Sequence, residues 1–273
     1  MHPLPDVGAD LCLVGPRPRI AVESAGNGPP VLFLHGLGGN RSHWRDQMAA
    51  LAGEFTVAAW DARGFGESDD PAAPWTFADF SADLVRVFDA LGMARAHLVG
   101  LSMGARIALD FYGRYPERVL SLVLADTSVA SSAPDPSTVE MQLRRRRALF
   151  ESGDIDTVAA NALVDELIGP APHPQARARL VEGLVALRAV PYLDTLRTVA
   201  FYRDFPPLSA IGVPCLVMCG SADRLAPPEK CRGMASMIPG ASFVEIPGAG
   251  HVSNLEQPTA FTDAIRDFLG RHA

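Results

Sequence analysis

Residues 96–104, Ala-His-Leu-Val-Gly-Leu-Ser-Met-Gly, constrain the fold of this chain more than any other stretch. An apolar run, Leu98 to Leu101, enters Gly100-Leu101-Ser102-Met103-Gly104, and Ala105 to Tyr112 behind it reads as a helix carrying Ile107, Leu109 and Phe111. The pattern predicts a buried strand, a sharp turn and a helix, with G-x-S-x-G at the turn. The spacing has a steric reason. Glycines two positions before and after the serine let strand and helix pass closely while the hydroxyl is pushed outward. The same turn aims the free N–H groups of a helix N-terminus at the space where negative charge would develop.

The rest of the chain supplies a sheet for that turn. Leu11–Val14 and Arg19–Ser24 read as a hairpin around Gly15-Pro16-Arg17-Pro18. Val31–Leu34, Phe55–Trp60, Val119–Ala125, Val213–Cys219 and Ser242–Ile246 read as further strands. The continuous apolar run of Val31–Leu34 suits a central parallel strand covered on both faces. Helices are predicted at 42–52, 76–91, 229–237 and 259–269, the second with Phe77, Phe80, Leu84, Val87, Phe88 and Leu91 at three- and four-residue spacing. Strands alternating with helices predict an α/β fold with a mostly parallel central sheet and helices on both faces. From 129 to 209 strand signals vanish and prolines and glycines break up helical patterns. Residues 1–128 and 210–273 therefore read as one core domain, and 129–209 as an inserted, mobile helical cap, or lid.

Composition narrows the function classes. With 48% hydrophobic and 20% charged residues, 273 residues suffice for a sizeable core. A net charge of −7 argues against non-specific nucleic-acid binding. No apolar run is long enough to span a membrane, and the first fifteen residues, with Pro3, Pro5, Asp6 and Asp10, do not read as a signal peptide. Cys12, Cys215, Cys219 and Cys231 form no C-x-x-C pair; on one strand Cys215 and Cys219 would stand about 13 Å apart, too far to bridge. Buried reduced thiols in a cytoplasmic protein without metal or cofactor are expected. The oligomeric state is left open, a homo-oligomer included.

A serine nucleophile needs a base, and the base an acid to orient it. In an open parallel sheet both belong in loops beyond the carboxyl ends of strands. His251, in Gly248-Ala249-Gly250-His251, follows the last strand; Asp223 follows the strand 213–219. Asp126, directly after the strand 119–125, is a rival for the acid. His35 borders a glycine loop and reads as structural, His97 opens a strand, and His2, His43, His173 and His272 fall in turns or termini. The oxyanion donors expected are the backbone N–H groups of Met103 and of Leu37, the latter in Gly36-Leu37-Gly38-Gly39. Arg144 to Arg147 fan out around a helix and read as a solvated face. Asp61 and Arg63 are expected to fix the turn 61–68 by local hydrogen bonds.

Together, His35-Gly36, Asp61-x-Arg63-Gly64-x-Gly66-x-Ser68, Gly100-Leu101-Ser102-Met103-Gly104, Pro116-Glu117-Arg118-Val119, Asp223-x-x-x-Pro227 and Gly250-His251 resemble the α/β-hydrolase superfamily, whose triad runs Ser, Asp, His along the chain. His251-Val252-Ser253-Asn254-Leu255-Glu256-Gln257-Pro258 is similar to the C-terminal signature of 3-oxoadipate enol-lactonases. Those usually carry a Ser-Asn-type oxyanion loop and Gly-Gly after the nucleophile, where this chain has His35-Gly36 and Gly104-Ala105. The resemblance implies a metal-free serine hydrolase acting on a small carboxylic ester or lactone through an acyl-enzyme. Alternatives are a carbon–carbon bond hydrolase, a perhydrolase, an acyltransferase or a low-turnover ligand receptor. Serine at residue 102 disfavours the dehalogenases and epoxide hydrolases of this fold, which use aspartate.

Overall fold

The computed structural model describes residues 9–72, 75–129, 135–151 and 153–273. Residues 1–8, with His2, part of the stretch read against a signal peptide, and residues 130–134, with Pro134, of the predicted insertion lie outside them. Among the described residues eight strands form one sheet: β1 (Asp10–Val14), β2 (Ile20–Ala25), β3 (Pro30–Leu34), β4 (Thr56–Trp60), β5 (Ala96–Leu101), β6 (Val119–Ala125), β7 (Cys215–Gly220) and β8 (Ser242–Ile246). Their order is β1-β2-β4-β3-β5-β6-β7-β8. Only β1–β2 and β2–β4 are antiparallel. Strands β3 to β7 are buried at nearly every position, as their unbroken apolar sequences require.

Helices α1 (Arg45–Leu51), α2 (Ala78–Ala90), α3 (Met103–Arg114), α8 (Pro228–Ser236) and α10 (Pro258–Gly270) cover the sheet. The chain steps one way from β3 to β4 and the other way from β4 to β5, so right-handed crossovers put α1 and α2 on opposite faces. Trp44, just before α1, stacks on Phe33 of β3 and packs on Phe261 of α10. Helix α2 buries Phe80, Leu84, Val87 and Phe88. Because β3 to β8 run parallel, the segments that follow them emerge on one edge. That edge receives His35, Asp61, Ser102, Asp126, Asp223 and His251.

Among the described residues between β6 and β7 lie four α-helices, α4 (Pro136–Ala148), α5 (Thr157–Leu167), α6 (Ala176–Val185) and α7 (Ala189–Phe201). Arg188 ties the start of α7 to the turn after β4: it pairs with Asp70 at 2.6 Å and donates to the carbonyls of Gly66 and Ser68 at 2.9 Å. Arg179 of α6 pairs with Asp46 of α1. At the end of α5, the Leu167 carbonyl accepts the N–H of His251 at 2.7 Å.

Three features depart from expectation. Arg63 does not fix its own turn: its guanidinium grips Asp83 of α2 at 2.7 and 2.9 Å, leaving the turn to Asp61, which accepts the N–H groups of Arg41 and Glu67. Cys12 is exposed, whereas Cys215, Cys219 and Cys231 are buried free thiols. A short helix, α9 (Ser253–Glu256), follows the His251 loop where none was expected. Among the described residues no helix is long and apolar enough to cross a membrane.

Candidate active site

Ser102 caps α3 with φ +53° and ψ −110°, a conformation side chains rarely take. Such a residue costs about 1–3 kcal/mol and persists only where its surroundings over-determine it. They do here. The Ser102 N–H donates to the Ala125 carbonyl at 2.8 Å, pinning the turn to β6. A Cβ on Gly104 would lie 2.0 Å from the Leu34 carbonyl oxygen, and one on Gly100 2.4 Å from the Ala105 nitrogen. The two glycines flanking Ser102 are thus required by backbone contact, as the motif reading expected.

The structure brings Ser102, His251 and Asp223 together. The Ser102 hydroxyl lies 2.9 Å from His251 Nε2, and His251 Nδ1–H donates to Asp223 Oδ2 at 2.9 Å. Asp223 Oδ1 accepts the N–H groups of Leu225 and Ala226 at 2.8 and 2.9 Å, so its loop folds around its own carboxylate. Burial works against the Asp223 charge, but His251 and these two donors hold its carboxyl below the usual carboxylate value. Burial likewise opposes charge on His251, yet the hydrogen bond to Asp223 and the charges of Asp223, Asp126 and Glu256 raise its pKa. The ring is therefore oriented with Nε2 free to take the serine proton, and the imidazolium that results is stabilised.

Asp126 does not reach the imidazole nitrogen. Its Oδ1 accepts the Gly220 N–H at 3.0 Å, and its Oδ2 accepts the N–H and hydroxyl of Ser253 at 3.0 and 2.7 Å. Between the two candidate acids, the hydrogen bond falls to Asp223.

The two oxyanion candidates lie on different loops. Met103 is the first residue of α3, so its N–H has no acceptor within the helix. A Cβ on Gly36 would stand 3.5 Å from the Ser102 Cβ, and the Gly39 N–H closes the turn onto the Gly36 carbonyl at 3.0 Å, so the loop that carries Leu37 passes close to the serine at Gly36. His35 is structural: its Nε2 accepts the Ala62 N–H at 3.0 Å and its Nδ1–H donates to the Gly36 carbonyl at 2.8 Å, while burial lowers its pKa. It braces the loop from behind. In α4, Arg144 pairs with Glu140 and Arg146 with Glu166, and Arg145 and Arg147 are exposed, as a solvated face would be.

Reasoning from sequence missed Glu256. It is fully buried, and its Oε1 accepts the N–H groups of Gly250 and Val252 at 3.0 and 3.2 Å, one on either side of His251. Its Oε2 takes the Gly169 N–H at 2.6 Å. The only signal was its place in the His251–Pro258 run.

Comparison with known proteins bears on the fold. A family model described as alpha/beta hydrolase fold matches residues 29–258. A Pseudomonas savastanoi protein whose provisional name is carbamate hydrolase RutD is 31% identical over 88% of this chain and 93% of its own. The 3-oxoadipate enol-lactonase 2 of Acinetobacter baylyi is 27% identical over 89% of each chain. A thermophilic esterase from Thermogutta terrifontis, solved with malate bound, superposes with a TM-score of 0.86 at 30% identity, covering 97% of this chain and 99% of its own. A motif-bearing strand–turn–helix, an eight-stranded, mostly parallel sheet and a family match over most of its length make this chain a member of the α/β-hydrolase fold family.

Proposed function

We propose that the protein is a serine hydrolase of small carboxylic esters or lactones, with Ser102 as nucleophile, His251 as base and Asp223 as orienting acid. The observation that carries this reading is the pair of 2.9 Å contacts linking Ser102 Oγ, His251 and Asp223 in series at a strained strand-to-helix turn. Ser102 attacks the carbonyl carbon while His251 Nε2 takes its proton. The oxyanion rests on the N–H groups of Met103 and Leu37. The imidazolium gives its proton to the leaving oxygen, and water activated by His251 then frees the acid from the acyl-enzyme. Residues 129–209 act as the cap that shapes the acyl pocket, over a core of residues 1–128 and 210–273.

Carbamates form a second substrate class, favoured by the names of several relatives at 30–32% identity. The chemistry up to the acyl-enzyme is the same, so the two readings part only at the substrate. The test is steady-state hydrolysis of p-nitrophenyl acetate and butyrate, a lactone panel and simple carbamates by wild type and Ser102→Ala. Turnover lost in the variant, with esters or lactones preferred, supports the first reading. Preference for carbamates selects the second. Equal rates in both proteins would overturn the nucleophile assignment.

A further inference from the structure

Asp126 is the first residue after β6. It is fully buried and is the one non-glycine besides Ser102, among the described residues, with positive φ, at +50°. Its own N–H donates to the Met218 carbonyl on β7 at 2.9 Å. That strained corner aims its carboxylate between two loops. On one side it holds Gly220, three residues before Asp223. On the other it holds Ser253, two residues after His251, through both backbone N–H and hydroxyl. One side chain therefore joins the loop of the base to the loop of the acid.

A fold alone does not call for a carboxylate at this spot. Its three donors are neutral, and a buried anion held by neutral donors costs more than an uncharged group of the same shape. The titratable groups around it are His251, Asp223 and the Cys219 thiol, whose pKa is raised so that it stays neutral; of the two that carry charge, only His251 gains from a negative one. We propose that Asp126 is a positioning residue, which sets the placement of His251 against Asp223 and lends a second negative charge to the imidazolium as it forms. The proposal rests on the reading of Ser102, His251 and Asp223 as the reacting set.

The neighbouring hydroxyl gives the device a proton-dependent side. Burial above all, with the charge of Asp223, pushes the Asp126 carboxyl up to about 7, against the pull of His251 and Ser253. Of its three partners only the Ser253 hydroxyl can turn from donor to acceptor, so a proton on Asp126 belongs on Oδ2.

Asp126→Asn removes the charge and sets an amide N–H against a donor, either Gly220 or Ser253. The experiment compares this variant with wild type in two readouts. The first is the far-downfield proton resonance of His251 Nδ1–H, with its pH titration. The second is kcat and KM for p-nitrophenyl acetate across pH. The expected result is a resonance broadened or moved, with its titration midpoint lowered. The kcat should fall by about ten- to a hundredfold, as for a group misplaced by a fraction of an ångström, while KM holds and the acid limb shifts to lower pH. Ser253→Ala, which keeps the charge and removes one donor, should give a smaller kcat loss with the limb near wild type; it carries the test if Asp126→Asn does not fold. A folded Asp126→Asn with wild-type resonance, midpoint and limb overturns the proposal, whatever its Tm. Absence of both turnover and resonance in wild type would overturn the underlying site reading instead.

Discussion

At the scale of single residues, the site divides two carboxylates between two tasks. Asp223 accepts the hydrogen bond of the imidazole Nδ1–H directly, while Asp126 spends its oxygens on backbone and hydroxyl donors. His251 must be neutral to take the serine proton, and its pKa lies above the ordinary imidazole value. Therefore kcat/KM should climb with pH through a limb displaced upward from that value. Asp223→Asn should lower kcat by roughly 10⁴-fold, because the wrong ring tautomer then faces Ser102, and should move the limb to lower pH. PH–rate profiles of the two Asp→Asn variants check this. A greater loss for Asp126→Asn would hand the acid's role to residue 126. Ser102, His251 and Asp223 were legible in the sequence because each follows a recognisable strand. Asp126 stood there only as a rival acid. Its partners lie 94 and 127 positions away, and its backbone twist leaves no mark on residue type.

At the scale of elements, the alternation of strands and helices was readable because burial on both faces demands unbroken apolar runs, and those runs name the parallel strands. Two short elements were not. The turn Arg41–Trp44 starts where the Asn40 side chain accepts the Ser42 N–H at 2.9 Å, and α9 closes where Glu256 reaches back to the Val252 N–H. Both are shaped by side-chain hydrogen bonds, which leave no periodicity to read. Glycine meaning, by contrast, depends on what the missing Cβ would touch. At Gly104 it would strike the Leu34 carbonyl at 2.0 Å, whereas at Gly233, inside α8, it would meet nothing within 4 Å. Gly104→Ala should therefore cost several kcal/mol or prevent folding, since backbone cannot yield as a side chain can. Gly233→Ala should stabilise by about 0.5–1 kcal/mol through lost unfolded-state entropy. Thermal denaturation of both variants tests the contrast, and a tolerated Gly104→Ala would deny the close strand–helix approach behind Ser102.

At the scale of the molecule, the segment between β6 and β7 is fastened to the core at Arg188, at Arg179, and where Leu167 and Gly169 meet the His251 loop. Arg188→Ala should raise local opening of α7 by about 1 kcal/mol, some fivefold in amide exchange, with β5 and β6 unaffected; equal acceleration in the sheet would mean the segment is not a separable unit. Protonation acts on the whole fold as well, and in opposing directions. His97 is buried beside Ser121, and burial, with lesser repulsion from His272 and Arg95, pushes its pKa down to about 4. A histidine depressed on folding contributes stability above its unfolded pKa of 6.5, and that contribution drains away as pH falls toward 4. Asp126 is raised from 3.8 to about 7, so its contribution is complete below 3.8 and is lost as pH rises through 7. Across the window from pH 4 to 6.5 the two slopes oppose each other, and the wild-type curve conceals both. Substitution should separate them. His97→Asn, which keeps a polar partner for Ser121, should gain stability at pH 5 relative to pH 6.5 by about 1.5 kcal/mol against wild type, because the unfolded imidazole takes up its proton progressively across this window. Asp126→Asn should lose stability over the same interval. Urea denaturation at the two pH values reads both differences directly, and variants that shift in the same direction would contradict the opposed burial of these two groups.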